Sequence, residues 1–261
     1  MKKPSRLDYA YAVGRVRALE KTLVPTPAFR EAATEKDLAS ALKVIFDAGY
    51  FLQESVEFQE SSHLDEFLER EEQSLFKLLS ELLIEGEIAQ IIIQENQLEH
   101  TLDLSQELTY PFITDYIRHR IDLGNLKIFC RAKYLGLPLT KLKSLLLKGG
   151  FLDRDVLFKS FDLSLSEVEE RLYASSYQQV WARATDALVE KETFIDLERE
   201  FEDFLMLYLR KAKYIVFGPE PIFAYALGKK RELQLVRLLG VGKINQIPPE
   251  TLKERISKTY A

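Results

Sequence analysis

The sequence predicts an all-α protein, and three observations lead there. Leu, Glu, Lys, Ala and Arg dominate, a composition that favours helices. Gly and Pro together supply only 20 of 261 residues. Apolar residues recur at helical spacing, with no alternation to suggest strands. Hydrophobic residues make up 46%, enough to bury a real core in one large domain or two smaller ones.

Taken in order, Tyr9, Ala12, Val16, Leu19 and Leu23 fall at spacings of 3, 4, 3 and 4, the stripe of an amphipathic helix. Pro25 and Pro27 end it. Thr34 with Asp37 predicts an N-terminal cap for a helix through Leu38, Leu42, Ile45 and Phe46, and Gly49 a left-handed stop. Ser62, Asp65 and Glu66 open the next run, where Leu64, Phe67, Leu68, Leu75, Leu78, Leu79 and Leu82 keep helical spacing up to Gly86. Ile88 to Ile93 is apolar and β-branched, so periodicity alone does not separate strand from helix; it is read as helix. Ile113, Ile117 and Ile121 continue into Leu126 and Phe129 before Gly136-Leu-Pro138 stops the helix, and Gly149-Gly150 breaks the one that follows. Ser166 and Glu169 predict a capping box. Helices then run through Trp181 and through Phe194, Leu197, Phe201, Phe204, Leu205, Tyr208 and Ile215, the last aromatic enough to be a core element.

The N-terminal Met-Lys-Lys-Pro-Ser-Arg6 leads into an amphipathic pattern rather than an apolar signal sequence. No stretch approaches the roughly 18 apolar residues of a membrane span. The single cysteine, Cys130, excludes an internal disulfide and suits a reducing compartment. These features predict a cytoplasmic protein without a membrane span. His63, His100 and His119 have no partner at helical spacing that would suggest a metal, and no glycine cradle for phosphate is present. Adjacent acids such as Glu71-Glu72 and Glu169-Glu170 diverge around a helix. No catalytic residue, cofactor, metal or nucleic-acid partner is therefore expected.

The net charge of −5 hides an asymmetry. Residues 51–107 carry 15 Asp and Glu against 2 basic residues, a local −13, and residues 114–154 carry 9 Lys and Arg against 3 acids, a local +6. Either these are solvated faces or they dock charged partners, with Arg118, Arg120 and Lys127 as the basic candidates.

A pattern of a helical Arg, a break with apolar-Pro and a short helix occurs three times, at Arg17 before Val24-Pro25, Arg131 before Leu137-Pro138 and Arg237 before Ile247-Pro248. The separations of 114 and 106 residues suit a duplicated helical subdomain. The outer copies are incomplete. This predicts a subdomain of residues 1–50 plus 194–261, closed by both chain ends, and a middle subdomain of residues 51–193.

The motifs resemble those of the C subunit of the archaeal and bacterial V-type rotary ATPase, the relative of the vacuolar d subunit. Tyr9-Ala-Tyr-Ala-Val-Gly-Arg15-Val-Arg17-Ala-Leu-Glu20 looks like its opening helix. Asp122-Leu-Gly-Asn125-Leu-Lys-Ile-Phe-Cys-Arg131-Ala-Lys133 and Lys148-Gly-Gly-Phe-Leu152 look like its internal segment and glycine turn, and Phe217-Gly-Pro-Glu-Pro-Ile-Phe-Ala-Tyr225 with Glu232 and Arg237 like its closing segment. The resemblance implies helical subdomains in a funnel-like or socket-like arrangement. Three are usual in the family; Asp-x-x-Asn-Leu occurs once here, which implies a short form with two. It also implies a non-catalytic central-stalk subunit that couples the rotor shaft to the membrane proteolipid ring during ATP-linked proton or sodium transport, peripherally attached to the membrane through the complex. The alternatives are an all-α enzyme using the Glu232/Arg237 region on a small acidic or phosphorylated substrate, and a general helical adaptor.

Glu220, between Pro219 and Pro221, is expected in the first turn of a helix, where a carboxylate favours the dipole; the other reading is a partner-binding tip. Arg17, Asp122, Asn125, Arg131, Glu232 and Arg237 are read as polar supports between helices, or else as a rotor-facing lining.

Overall fold

The computed structural model describes residues 4–51, 61–191 and 193–261. Among these, the regular elements are all helical: α1 (Ala10–Leu19), α2 (Thr26–Ala32), α3 (Leu38–Ala48), α4 (Ser61–Leu82), α5 (Gly86–Ile93), α6 (Leu98–Leu108), α7 (Pro111–Tyr134), α8 (Leu139–Leu145), α9 (Arg154–Lys159), α10 (Leu165–Arg171), α11 (Gln178–Lys191), α12 (Ile195–Arg210), α13 (Glu220–Ile244) and α14 (Pro249–Arg255). The all-α expectation holds, and the ambiguous isoleucine run is α5. Part of the acidic run, residues 52–60, lies outside the described residues.

Several predicted boundaries shift. The cap of α3 is Asp37 alone, which accepts from Ser40 N at 2.8 Å, while Thr34 Oγ1 donates to Glu31 O. Gly49 is not left-handed: it sits at φ −138°, where an added Cβ would lie 2.4 Å from Val24. The capping box of α10 is Ser164 with Glu167, two residues earlier than expected. The phase of buried Val168 and Leu172 sets that start.

The chain divides into two compact units: Met1–Ile93 with Met206–Ala261, and Gln94–Leu205. In the first, α13 contacts α1, α2, α3, α4 and α5. The core joins Phe29, Leu42, Ile45, Leu64, Phe67, Val236, Leu239 and Leu252, each such side chain contributing about 1.5–3 kcal/mol by leaving water. Phe46, Phe51 and Phe67 form a tilted aromatic trio with centroids 5.3–5.8 Å apart. The expected boundary at residues 50/51 separated α4 and α5 from α13; in the structure the stripe of Leu64, Phe67 and Leu68 places α4 in this core. In the second unit, Phe129 on α7 packs against Phe161 and Trp181, and Trp181 donates its indole N–H to Leu165 O at 2.9 Å.

Within each unit the same local construction occurs. α7–Gly136–Pro138–α8 matches α13–Gln246–Pro248–α14 at a constant offset of 110 residues, so that Lys133 corresponds to Lys243 and Asp122 to Glu232. The positive φ of Gly136 (61°) is repeated at Gln246 (54°), and the closing bond of Leu137 N to Ala132 O at Ile247 N to Gly242 O, both 2.9 Å. The expected repeat, anchored on arginines at 114 and 106, was out of register: at the true offset Arg131 falls opposite Val241. The second half of the construction obeys another offset. Lys133 Nζ donates to Phe161 O and Leu163 O, and Lys243 Nζ to Ala33 O and Glu35 O, acceptors that differ by 128 in the opposite sense. One copy is continuous, from Pro111 to Arg171. The other begins at Pro221, runs to the C-terminal α14 and is completed by α2 and α3 near the N-terminus, which is why the ends each looked incomplete.

Candidate functional site

In the second unit a carboxylate seat is built around Asp122, which is fully buried on α7. Its oxygens accept from Phe151 N at 2.8 Å, Leu152 N at 3.2 Å and the Tyr177 hydroxyl at 2.7 Å. Three donors on one carboxylate hold the loop after α8 to α7. Burial raises the Asp122 pKa, and the three hydrogen bonds pull the other way. The Tyr177 phenol is pushed up by burial and then by the neighbouring carboxylate. Because its one proton goes to Asp122, the phenol oxygen accepts from His119 Nδ1 at 2.7 Å. Gly150 makes the seat possible: a Cβ there would lie 1.9 Å from Asp122 Oδ1. One turn on, Asn125 clamps Leu147 through both backbone groups, at 2.9 and 2.8 Å.

The first unit repeats the device with Glu232, 1% exposed. It accepts Val24 N at 2.6 Å and Lys229 Nζ at 2.5 Å, and burial raises its pKa against the pull of Lys229. Lys229 is itself buried, stands 4.0 Å from the centroid of Phe51 and 3.8 Å from Glu71. The cluster borders a cavity of about 300 Å³ whose lining includes Arg15, Tyr50, Glu71, Lys77, Glu81 and Tyr225. Arg15 pairs with Glu81 at 2.9 Å. Arg15 and Glu81, and Lys229 with Glu71 and Glu232, thus face opposite charges rather than converging on a point where a substrate atom would react.

The polar supports read from sequence divide into two groups. Asp122, Asn125, Glu232 and Arg17 are internal; Arg17 grips Glu20 and donates to Ala212 O and Ile215 O at 2.7 and 2.8 Å. Arg131 and Arg237 are not. Each is more than half exposed, in a surface pair with Glu198 and Asp65 respectively, because α7 and α13 turn those positions outward. Replacing either arginine with Ala is expected to change stability by less than about 1 kcal/mol in a denaturant titration, as exposed pairs are worth little. Glu232 and Arg237, paired with different partners, do not form a common site.

The proposed interface cations also have neighbours within the second unit. Arg118 lies over Phe151 at 5.4 Å, with its Nε buried and lacking a hydrogen-bond partner. Arg120 donates to Glu95 O at 2.6 Å, and Lys127 stands 3.7 Å from Glu202. Glu220 is buried in the first turn of α13, held by Arg6 at 2.7 and 3.1 Å, so it serves as helix support and its carboxylate is not a free tip.

Sequence reasoning missed Lys133, Lys243, Lys229 and Tyr177, and read Gly150 only as a helix break and turn. Aligning Lys133-x-x-Gly136-x-Pro138 with Lys243-x-x-Gln246-x-Pro248 would have found the first two, and the spacing of three to Glu232 marks Lys229; nothing local marks Tyr177. The Cys130 thiol, pushed up by burial to about 12, is poorly suited to act as a nucleophile. Among the described residues no group of three or more His, Cys, Asp or Glu stands where it could hold a metal ion, and no helix is long and apolar enough to cross a membrane.

These buried polar seats lie within the stretch that comparison with known proteins picks out. The model of the ATP synthase (C/AC39) subunit family matches residues 60–255, about three quarters of the chain. The C subunit of the V-type sodium ATPase of Enterococcus hirae is 26% identical over 157 residues, 60% of this chain and 47% of that protein. The C subunit of the A-type ATP synthase of Thermococcus kodakarensis is 29% identical over 155 residues, 56% of this chain and 39% of that protein. The protein of the same name from Pyrococcus furiosus is 22% identical over 210 residues, 70% and 55% of the two chains. The chain thus spans about half the length of the relatives it matches. The chain belongs to the ATP synthase (C/AC39) subunit family.

Proposed function

We propose that the chain is a non-catalytic central-stalk subunit of a V-type rotary ATPase, a cytoplasmic socket that couples the rotor shaft to the membrane proteolipid ring during ATP-linked proton or sodium transport. The observation that carries this reading is the family match over residues 60–255. The use of the buried charges supports it: Asp122 and Glu232 are committed to backbone amides that hold helices and loops together. A part that transmits torque needs such internal ties more than it needs a reactive group. The chain attaches to the membrane peripherally, through its partners, and uses no cofactor. Arg118, Arg120 and Lys127 remain the proposed basic docking set.

The test is co-purification of the tagged chain with the shaft subunits and proteolipids from membranes of its own host. Retention of both groups supports the reading; retention of neither overturns it. The Arg118→Ser/Arg120→Ser/Lys127→Ser variant is expected to assemble more slowly at low salt, as rim charges act mainly on association. It should also melt lower than the parent, since these side chains touch Phe151, Glu95 and Glu202. Unchanged assembly kinetics at low salt would remove the docking assignment.

A further inference from the structure

In the first unit, five large apolar side chains stand out in solvent on two segments, Leu7 (65% exposed) and Tyr11 (77%) on one, and Tyr214 (89%), Val216 (67%) and Phe217 (39%) on the other. The chain fastens these segments together. Arg6 donates to Phe217 O at 2.6 Å and to both oxygens of Glu220. Farther along α1, Arg17 donates to Ala212 O and Ile215 O. Gly218 has φ +111°, and a Cβ there would lie 2.3 Å from Glu220 and 2.8 Å from Arg6, so the turn displaying Phe217 is built for this conformation. Leu7 and Tyr11, four apart, share the outer face of the opening helical segment. Isolated exposed apolar residues are ordinary, but five, three of them aromatic, on a pinned backbone have the composition of a docking face.

The charges around it indicate what it takes. Lys211 and Lys213 are exposed, and half of the Arg6 side chain is open to water. Among the described residues Arg6 balances Glu220 and Arg17 balances Glu20, which leaves Lys211 and Lys213 against Asp8, whose carboxylate accepts the Ser5 amide. The rim is therefore positive. We propose that Leu7, Tyr11, Tyr214, Val216 and Phe217 form the docking face for an amphipathic helix of another subunit, with acidic residues beside its apolar stripe. A second copy of this chain would bring the same positive rim and repel it. This proposal rests on the chain acting inside a multi-subunit assembly, and it goes further by naming the face and the chemistry of the partner.

A photoreactive benzoylphenylalanine placed at Tyr214, which is exposed enough to be changed without disturbing the fold, tests it in the assembled complex. After irradiation, the attached peptide is sequenced by mass spectrometry. The expected product is one acidic, apolar-striped helical segment of another ATPase subunit. The yield should fall at least about fivefold in the Lys211→Glu/Lys213→Glu variant, where like charges now face each other. Attachment only to lipid, to a second copy of this chain or to a basic segment overturns the proposal, as does a complex that co-purifies normally and gives no product. Failure of the chain to co-purify with any ATPase subunit rejects the proposed function instead, and this proposal with it.

Discussion

Replacing Asp122 with Ala is expected to cost about 4 kcal/mol of stability, given about 1.5–3 kcal/mol for each hydrogen bond to a charged group and some relaxation. Three donors lose their acceptor at once: Phe151 N, Leu152 N and the Tyr177 hydroxyl. Gly150→Ala should cost at least about 3 kcal/mol by pushing a methyl group into the same carboxylate. Since both changes empty one seat, the double variant should be less destabilised than the sum of the singles, the signature of shared partners. Urea titrations of the four proteins measure this. The pH dependence has a definite sign. Folded Asp122 has a pKa above the ordinary 3.8, so the native state keeps its proton to higher pH than the unfolded chain does. The carboxyl's contribution is therefore greatest below 3.8 and falls as pH rises towards the raised value, becoming level above it. Asp122→Asn, which cannot titrate, should abolish that slope.

Glu232→Ala is expected to lower stability by about 3–5 kcal/mol, because it leaves Lys229 buried without its principal counter-charge. Removing both members should hurt less than removing one. In Lys229→Met/Glu232→Met the remaining defects are the Val24 amide, an unpaired donor worth about 1–3 kcal/mol, and the buried Glu71 carboxylate, which loses Lys229 at 3.8 Å. Thermal melts of the two singles and the double decide this: a double variant weaker than both singles would show that the pair is a favourable tie rather than a balanced burden.

The helices were legible because apolar spacing records which face is buried, and that signal is strong for α3, α4 and α12. The cap positions were less so. Ser164 and Ser166 both stand three residues before a Glu, and only the phase of Val168 in the core selects the first. Asp122 and Asn125 could be read as supports since a polar residue within an apolar run must find a partner. Arg131 and Arg237 do pair across helices, with Glu198 and Asp65, but at the surface: a long cation on a core helix can as readily reach outward, and sequence spacing does not say which. Tyr177 was invisible because its partner is far along the chain, and Lys229, although three residues from Glu232, because the rest of that seat is. The Tyr177 hydroxyl reaches back 55 residues to Asp122, and Glu232, which holds Lys229, also takes an amide 208 residues away.

Mechanical coupling is open to a direct test by reconstitution. The complete rotary complex from the chain's own host, inserted in sealed vesicles, is assayed for ATP hydrolysis and for ion uptake with the chain present and with it removed. Without the chain, hydrolysis should continue while ion uptake disappears, and adding the chain back should restore uptake. Ion uptake at the full rate in its absence would show that the chain does not couple shaft to ring.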